Sequence, residues 1–94
     1  MITVTRLSGD DPLAFDVAVA EPSGTSRHRV TLTRAELARL ARGRAPERLI
    51  EAAFRFLIDR EPKESILARF DLSVIGRYFP EFERELPRYL ASGE

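Results

Sequence analysis

The chain predicts an α+β fold: a three-stranded antiparallel N-terminal meander followed by three to four helices packed on one face. Three observations predict it. Apolar residues alternate with polar ones up to about residue 33 and recur at helical spacing beyond it. The change of period falls at Thr33-Arg34-Ala35-Glu36, which has the form of a capping box. Seven of the eight aromatic residues lie between Phe54 and Tyr89, so the helical half carries most of the large apolar surface.

The strands come first. Ile2, Val4 and Arg6 alternate with Thr3, Thr5 and Leu7, and the β-branched content favours a strand. Ser8-Gly9-Asp10-Asp11-Pro12 is a turn cluster. Leu13, Phe15, Val17 and Val19 then face one way, with Ala14, Asp16 and Ala18 opposite. A second turn, Glu21-Pro22-Ser23-Gly24-Thr25, leads to His28, Val30 and Leu32 alternating with Arg27, Arg29, Thr31 and Thr33. Short strands joined by tight turns, each apolar on one side, read as an antiparallel sheet with one buried face.

The helices follow. Thr33 can cap a first helix with Leu37, Leu40 and Ala41 as its stripe, and Gly43 suits its end. Pro46 fits the first turn of the next, where Leu49, Ile50, Ala53, Phe54, Leu57 and Ile58 form one face. Pro62 ends that helix and is expected to open another bearing Ile66, Leu67 and Phe70, and Asp71 can cap a further turn through Leu72, Val74 and Ile75. Pro80 starts a terminal helix with Phe82, Leu86, Tyr89 and Leu90 on one face, and Pro87 should kink it or end it early. The whole reads as one domain, residues 1–94, with strands over about 1–33 and helices over about 34–91. The expected core is Phe15, Val17, Val19, Val30, Leu32, Leu37, Leu40, Leu49, Ile50, Phe54, Leu57, Ile66, Leu67, Phe70, Ile75 and Phe82.

Composition narrows the function. Fifteen acidic residues balance fifteen basic ones, so net charge argues for neither nucleic acid nor membrane. The distribution is less even. Between Arg27 and Arg48 seven arginines face only Glu36 and Glu47, while Asp10, Asp11, Asp16 and Glu21 have no base among them. There is no cysteine and one histidine, which leaves no thiolate chemistry and no Cys/His zinc site. Asp10-Asp11 starts like a calcium loop, but Pro12 and an apolar strand replace the later ligands. The glycines are scattered singly, with no phosphate cradle, and His28 sits among apolar strand neighbours as a core-edge histidine. Glu61 and Glu64 lie beside Arg60 and Lys63, the pattern of charge pairing on a helix surface. The expectation is a non-enzymatic protein with no cofactor, no metal, no small-molecule substrate and no membrane span, in the cytoplasm.

Two stretches are suited to binding. Arg77-Tyr78-Phe79-Pro80-Glu81-Phe82 sets three aromatics around a helix-breaking proline. The proline prevents Tyr78, Phe79 and Phe82 from sharing one helical face, so one ring, Tyr78, should point away from the core. Arg77, Tyr78 and Phe79 are therefore candidates for a protein partner or a homodimer contact. The second stretch runs from Arg27 to Glu61: a strand with alternating Arg29, Thr31 and Thr33, a short helix, a Gly-Arg turn, and GRAPERLIEAAFRFLIDRE as a second helix.

That second order resembles the ribbon-helix-helix family of dimeric DNA-binding regulators, over about 35 residues. The resemblance implies a strand from each subunit in the major groove, with Arg27, Arg29 and Thr31 toward the bases and the Arg44 turn toward phosphate. The first helix is shorter than in that family, and two strands precede the ribbon. A helix-turn-helix over residues 65–78 is cut short by Pro80. The C-terminal half, FRFLIDREPKESIL and FDLSVIGRYFPEF, also resembles small uncharacterised bacterial proteins of about 90 residues, a likeness that implies no particular activity. A protein partner or self-association is expected ahead of DNA.

Overall fold

A computed structural model describes residues 1–92. Three antiparallel strands form first, as expected: β1 (Ile2–Arg6), β2 (Leu13–Glu21) and β3 (Gly24–Leu32). The β2–β3 hairpin closes on Pro22-Ser23, where Glu21 pairs with Gly24. Gly24 takes φ 139, a conformation open essentially to glycine alone. The register sets Leu13 opposite Leu32, Phe15 opposite Val30 and Val17 opposite His28, and all six are buried on one face.

Thr33 caps α1 (Arg34–Leu40): its Oγ1 accepts from the Glu36 N–H at 3.2 Å. The reciprocal arm of the capping box is not made. The Glu36 carboxylate instead accepts from Arg39 at 2.8 Å, which pairs its charge with a guanidinium one turn on. After α1 the chain reverses through two left-handed residues, Arg42 (φ 52) and Gly43 (φ 82). Pro46 occupies the first turn of α2 (Pro46–Ile58). The helix buries Leu49, Ile50, Ala53, Phe54 and Leu57 as its spacing predicts, and also Ala52 and Phe56, which lie off that stripe.

The segment after α2 departs from expectation. No helix forms over residues 66–70. A 3₁₀ turn at Lys63–Ser65 leads into a fourth strand, β4 (Arg69–Asp71), which pairs with β3 in parallel and extends the sheet to the order β1-β2-β3-β4. The free edge of β3 explains the change. Its backbone groups need partners once the sheet is half covered, and the Arg29 N–H donates to the Ala68 carbonyl at 2.7 Å. In strand conformation Phe70 reaches the Phe54 ring, 6.0 Å between centroids. Leu67, expected in the core, is left 48 % exposed, and Leu37 and Phe70 are only half-buried.

Asp71 then caps a 3₁₀ turn, Leu72–Val74, and the short α3 (Ile75–Tyr78) precedes α4 (Phe82–Ser92). Pro87 does not end α4. The helix runs on to Ser92 because Leu86 and Leu90, on either side of the proline, are both buried and outweigh one missing backbone bond. α4 packs chiefly on α2, and α2 lies against the sheet beside β1.

Phe54 is the test of this packing. It is fully buried, with the His28 ring 5.4 Å away on one side and Phe70 on the other. Phe54→Ala should cost about 3–5 kcal/mol through lost transfer energy and the cavity left behind. Chemical denaturation will measure it; a variant as stable as the parent would mean that the α2 register is wrong.

Candidate interaction groove

The end of α2, the irregular segment that follows it and α3 enclose an apolar groove of about 410 Å³. Leu57 and Ile66 form its floor, both buried. Phe70, Val74 and Phe79 line its half-buried sides, and Leu67 and Tyr78 stand on its rim. Glu61 and Ser65 are the polar side chains along it.

Pro80 shapes the rim. The chain leaves α3 at Phe79 with φ −129 and ψ 87, and the three rings around the proline diverge. Phe82 is buried with its ring 5.0 Å from Phe56, and Phe79 is half-buried, edge-on to Phe56 at 5.8 Å. Tyr78 is 69 % exposed, the direction that the proline argument selects. Arg77 is exposed beside it.

Three polar clamps hold the walls. His28 is buried with Nε2 2.8 Å from the Ser26 Oγ and Nδ1 2.8 Å from the Leu67 carbonyl oxygen. That second bond ties the Leu67 backbone to β3 and leaves its side chain outward. Ser26 and His28 are within the reach of a nucleophile and a base, but neither lines the groove, and both ring nitrogens are taken: Nδ1 by the Leu67 carbonyl and Nε2 by the Ser26 hydroxyl of the same strand.

Lys63, which reads in the sequence as helix-surface charge, is only 3 % exposed. Its Nζ donates to the Ser23 Oγ at 3.0 Å and forms ion pairs with Glu64 and with Glu21, the latter at 3.4 Å. The bond to Glu64, against the opposing effect of desolvation, holds its pKa above that of an ordinary lysine. The tip of the β2–β3 hairpin is thereby fastened to the segment that walls the groove.

Asp71 is the third clamp. It accepts from Thr31 Oγ1 at 2.6 Å, from Ser73 Oγ at 2.7 Å and from the Ser73 N–H at 3.1 Å. Burial pushes its carboxyl up, but the three hydrogen bonds outweigh it, and its pKa lies below the ordinary value of 3.8. At the other end of α3, the Arg60 guanidinium lies 3.7 Å over the Phe56 ring and donates to Glu81 at 3.0 Å.

The residues expected to meet DNA lie elsewhere. Arg27 and Arg29 are exposed on the sheet face opposite the helices. Arg29 donates to Asp16 at 2.6 Å, and the Thr31 hydroxyl is committed to Asp71. Arg44 sits in the turn before α2. β3 has β2 along one edge and β4 beside residues 29–31 of the other. The structure therefore places Tyr78 and Phe79 on one groove, with Arg77 exposed next to them in the chain but outside its lining, and sets Arg27, Arg29 and Thr31 on a different surface. What the sequence reasoning missed was the opposite wall, Leu67 and Phe70, which the spacing assigns to a core-facing helix opened by Pro62.

Among the described residues there is no group of three or more histidines or carboxylates placed to hold a metal ion, and no helix is long and apolar enough to cross a membrane. No family model, no curated protein and no solved structure matches this chain.

The Asp71 clamp makes stability depend on pH. A carboxyl whose folded pKa is depressed adds stability above its unfolded value of 3.8 and loses it as pH falls through the folded value. Asp71→Asn should destabilise by about 1–2 kcal/mol at neutral pH, since the bonds lost are to a partly exposed charged group. The gap between parent and variant should close in acid. Urea unfolding at neutral pH and well below pH 3.8, past the folded value, will check it; a gap that does not change with pH would mean that the charge contributes nothing.

Proposed function

We propose that this protein is a non-enzymatic binding module whose groove receives a protein partner. One observation carries the reading. Apart from Met1, the large apolar side chains most exposed among the described residues are Leu67 and Tyr78, and both sit on the rim of the same groove. They come from different elements, so their meeting is a product of the fold and not of adjacency in sequence. Exposed apolar patches of this kind mark interaction surfaces. The groove is lined mainly by apolar side chains, with Glu61, Ser65 and the Tyr78 hydroxyl as its polar groups. The reading keeps the bacterial, cytoplasmic setting expected from the sequence.

The alternative, a DNA regulator of ribbon-helix-helix type, asks β3 to pair across a dimer. What supports a protein partner ahead of it is the pairing of β3 within the chain on both sides, together with the commitment of Arg29 and Thr31 to Asp16 and Asp71.

Tyr78→Ala should leave unfolding stability within about 1 kcal/mol of the parent, as exposed positions usually do, while a partner or second copy held by the parent is lost. Thermal unfolding run beside sedimentation and affinity capture will separate the two effects. Equal capture by parent and variant, or a large loss of stability, would overturn the groove. If the groove reading holds and the DNA alternative does not, a labelled duplex pool at about 50 mM salt should show no binding. Binding that weakens steeply with added salt and is lost in Arg29→Ala would favour DNA instead.

A further inference from the structure

We infer that the groove takes an extended peptide segment, alternating apolar and acidic residues, as a fifth strand on the outer edge of β4. The inference rests on the groove being the partner site proposed above and adds the conformation and chemistry of what occupies it.

The first ground is the edge itself. β4 is last in the sheet order, so no described strand covers its outer side. In a parallel ladder alternate residues direct their backbone groups to one neighbour. The Arg29 N–H meets the Ala68 carbonyl, and Arg29 stands opposite Arg69. Phe70 therefore bonds toward β3, while Arg69 turns its N–H and C=O outward. Residues 67–69 are exposed, leaving that edge open to an incoming strand.

The second ground is what lies on each side of the edge. Phe70 faces the helices and lines the groove, and Arg69 faces the uncovered side of the sheet. A strand added about 4.8 Å beyond β4 would put one residue beside Phe70, in the groove between Leu67 and Tyr78. Its sequence neighbours would point the other way, beside Arg69. This is strand addition of the kind that extended peptides use, with main-chain bonds giving affinity and alternate side chains giving selectivity.

The third ground is charge. Every described carboxylate except that of Glu61 is engaged within the chain. The exposed Arg69 on β4 and Arg77 on α3, in contrast, show no partner in the described structure. Among the described residues a second copy of the chain brings only Glu61 as an unengaged acid, which favours a different molecule as the source of carboxylates that complement Arg69 and Arg77. The other sheet edge offers no such combination: β1 ends on the Arg6–Glu47 ion pair, at 2.9 Å, and the cavity beside it includes Glu21, Glu51, Arg55 and Asp59.

The test is a phage-displayed library of random nonapeptides selected on the full chain and, in parallel, on Tyr78→Ala. Enriched peptides should alternate acidic and bulky apolar residues and be lost on Tyr78→Ala. As synthetic peptides they should weaken about tenfold on Arg69→Glu and recover when their acidic residues are changed to lysine, since charge complementarity sets the preference. N-methylation of alternate amides should abolish binding in one phase and spare it in the other. Peptides with apolar residues at helical spacing, indifferent to Arg69→Glu yet lost on Tyr78→Ala, would overturn the strand inference and leave the groove reading standing. No enrichment above the Tyr78→Ala background would overturn both. A concentration-dependent dimer in sedimentation, dissociated by Arg69→Glu, would put a second copy on β4 and overturn the foreign strand.

Discussion

Phe54 and Phe56 are two residues apart on α2 and so point roughly 200° apart around its axis. One ring meets His28 and Phe70 on the sheet side, and the other meets Phe79, Phe82 and Tyr89. A helix with large apolar groups on opposite sides has to be covered twice. The sheet covers the first side. The second side explains why the chain continues past α2: the turn at Phe79 and the whole of α4 supply the missing cover. The groove is the place where these two coverings do not meet. Leu57, on the sheet-side stripe, remains the floor of the gap between them.

The charges are arranged by the same topology. In sequence the arginines after residue 26 and the acids between residues 10 and 21 form two opposed blocks. The β2–β3 hairpin folds one block against the other. Arg29 meets Asp16 at 2.6 Å and Arg34 meets Asp10 at 2.6 Å. Such exposed pairs contribute little to stability one by one, but they engage Arg29 and Arg34 of the basic block, while Arg27 and Arg42 make no such pair among the described residues. Arg39, between Glu36 and Glu83, links α1 to α4 in the same way. The guanidinium groups without a partner among the described residues are those of Arg27, Arg42, Arg69 and Arg77, and the last two lie along the segment that walls the groove.

The N-terminal strands, the Thr33 cap, the α2 stripe and the outward turn of Tyr78 were legible because each rests on a local rule: alternation, capping, helical spacing, the geometry of proline. β4 was not, for a physical reason. Three residues, Arg69-Phe70-Asp71, are too few to show a period, and the strand exists only because β3 has an edge to satisfy some forty positions earlier in the chain. Lys63 was misread on similar grounds. Its neighbours in sequence are charged, but Ser23 and Glu21, which make its burial tolerable, come from the far hairpin. Phe56 lies off the sheet-facing stripe, and only the later aromatics Phe79, Phe82 and Tyr89 give it a place. One wall of the groove could thus be read from Tyr78 and Phe79, while the other required the folded chain.

The two-sided loading of α2 also sets where this chain can change length. The hairpin turn at Pro22-Ser23 and the reversal at Arg42-Gly43 lie at the surface, where an added residue alters a loop. Within α2 a single inserted codon before Phe54 would rotate everything after it by about 100°. Phe54 and Phe56 would both leave their partners, and no slide along the axis could restore one without displacing the other. Descendants of this sequence should therefore vary in their turns while keeping α2 at a constant count, with the spacing of its two phenylalanines behaving as a ruler for the rest of the molecule.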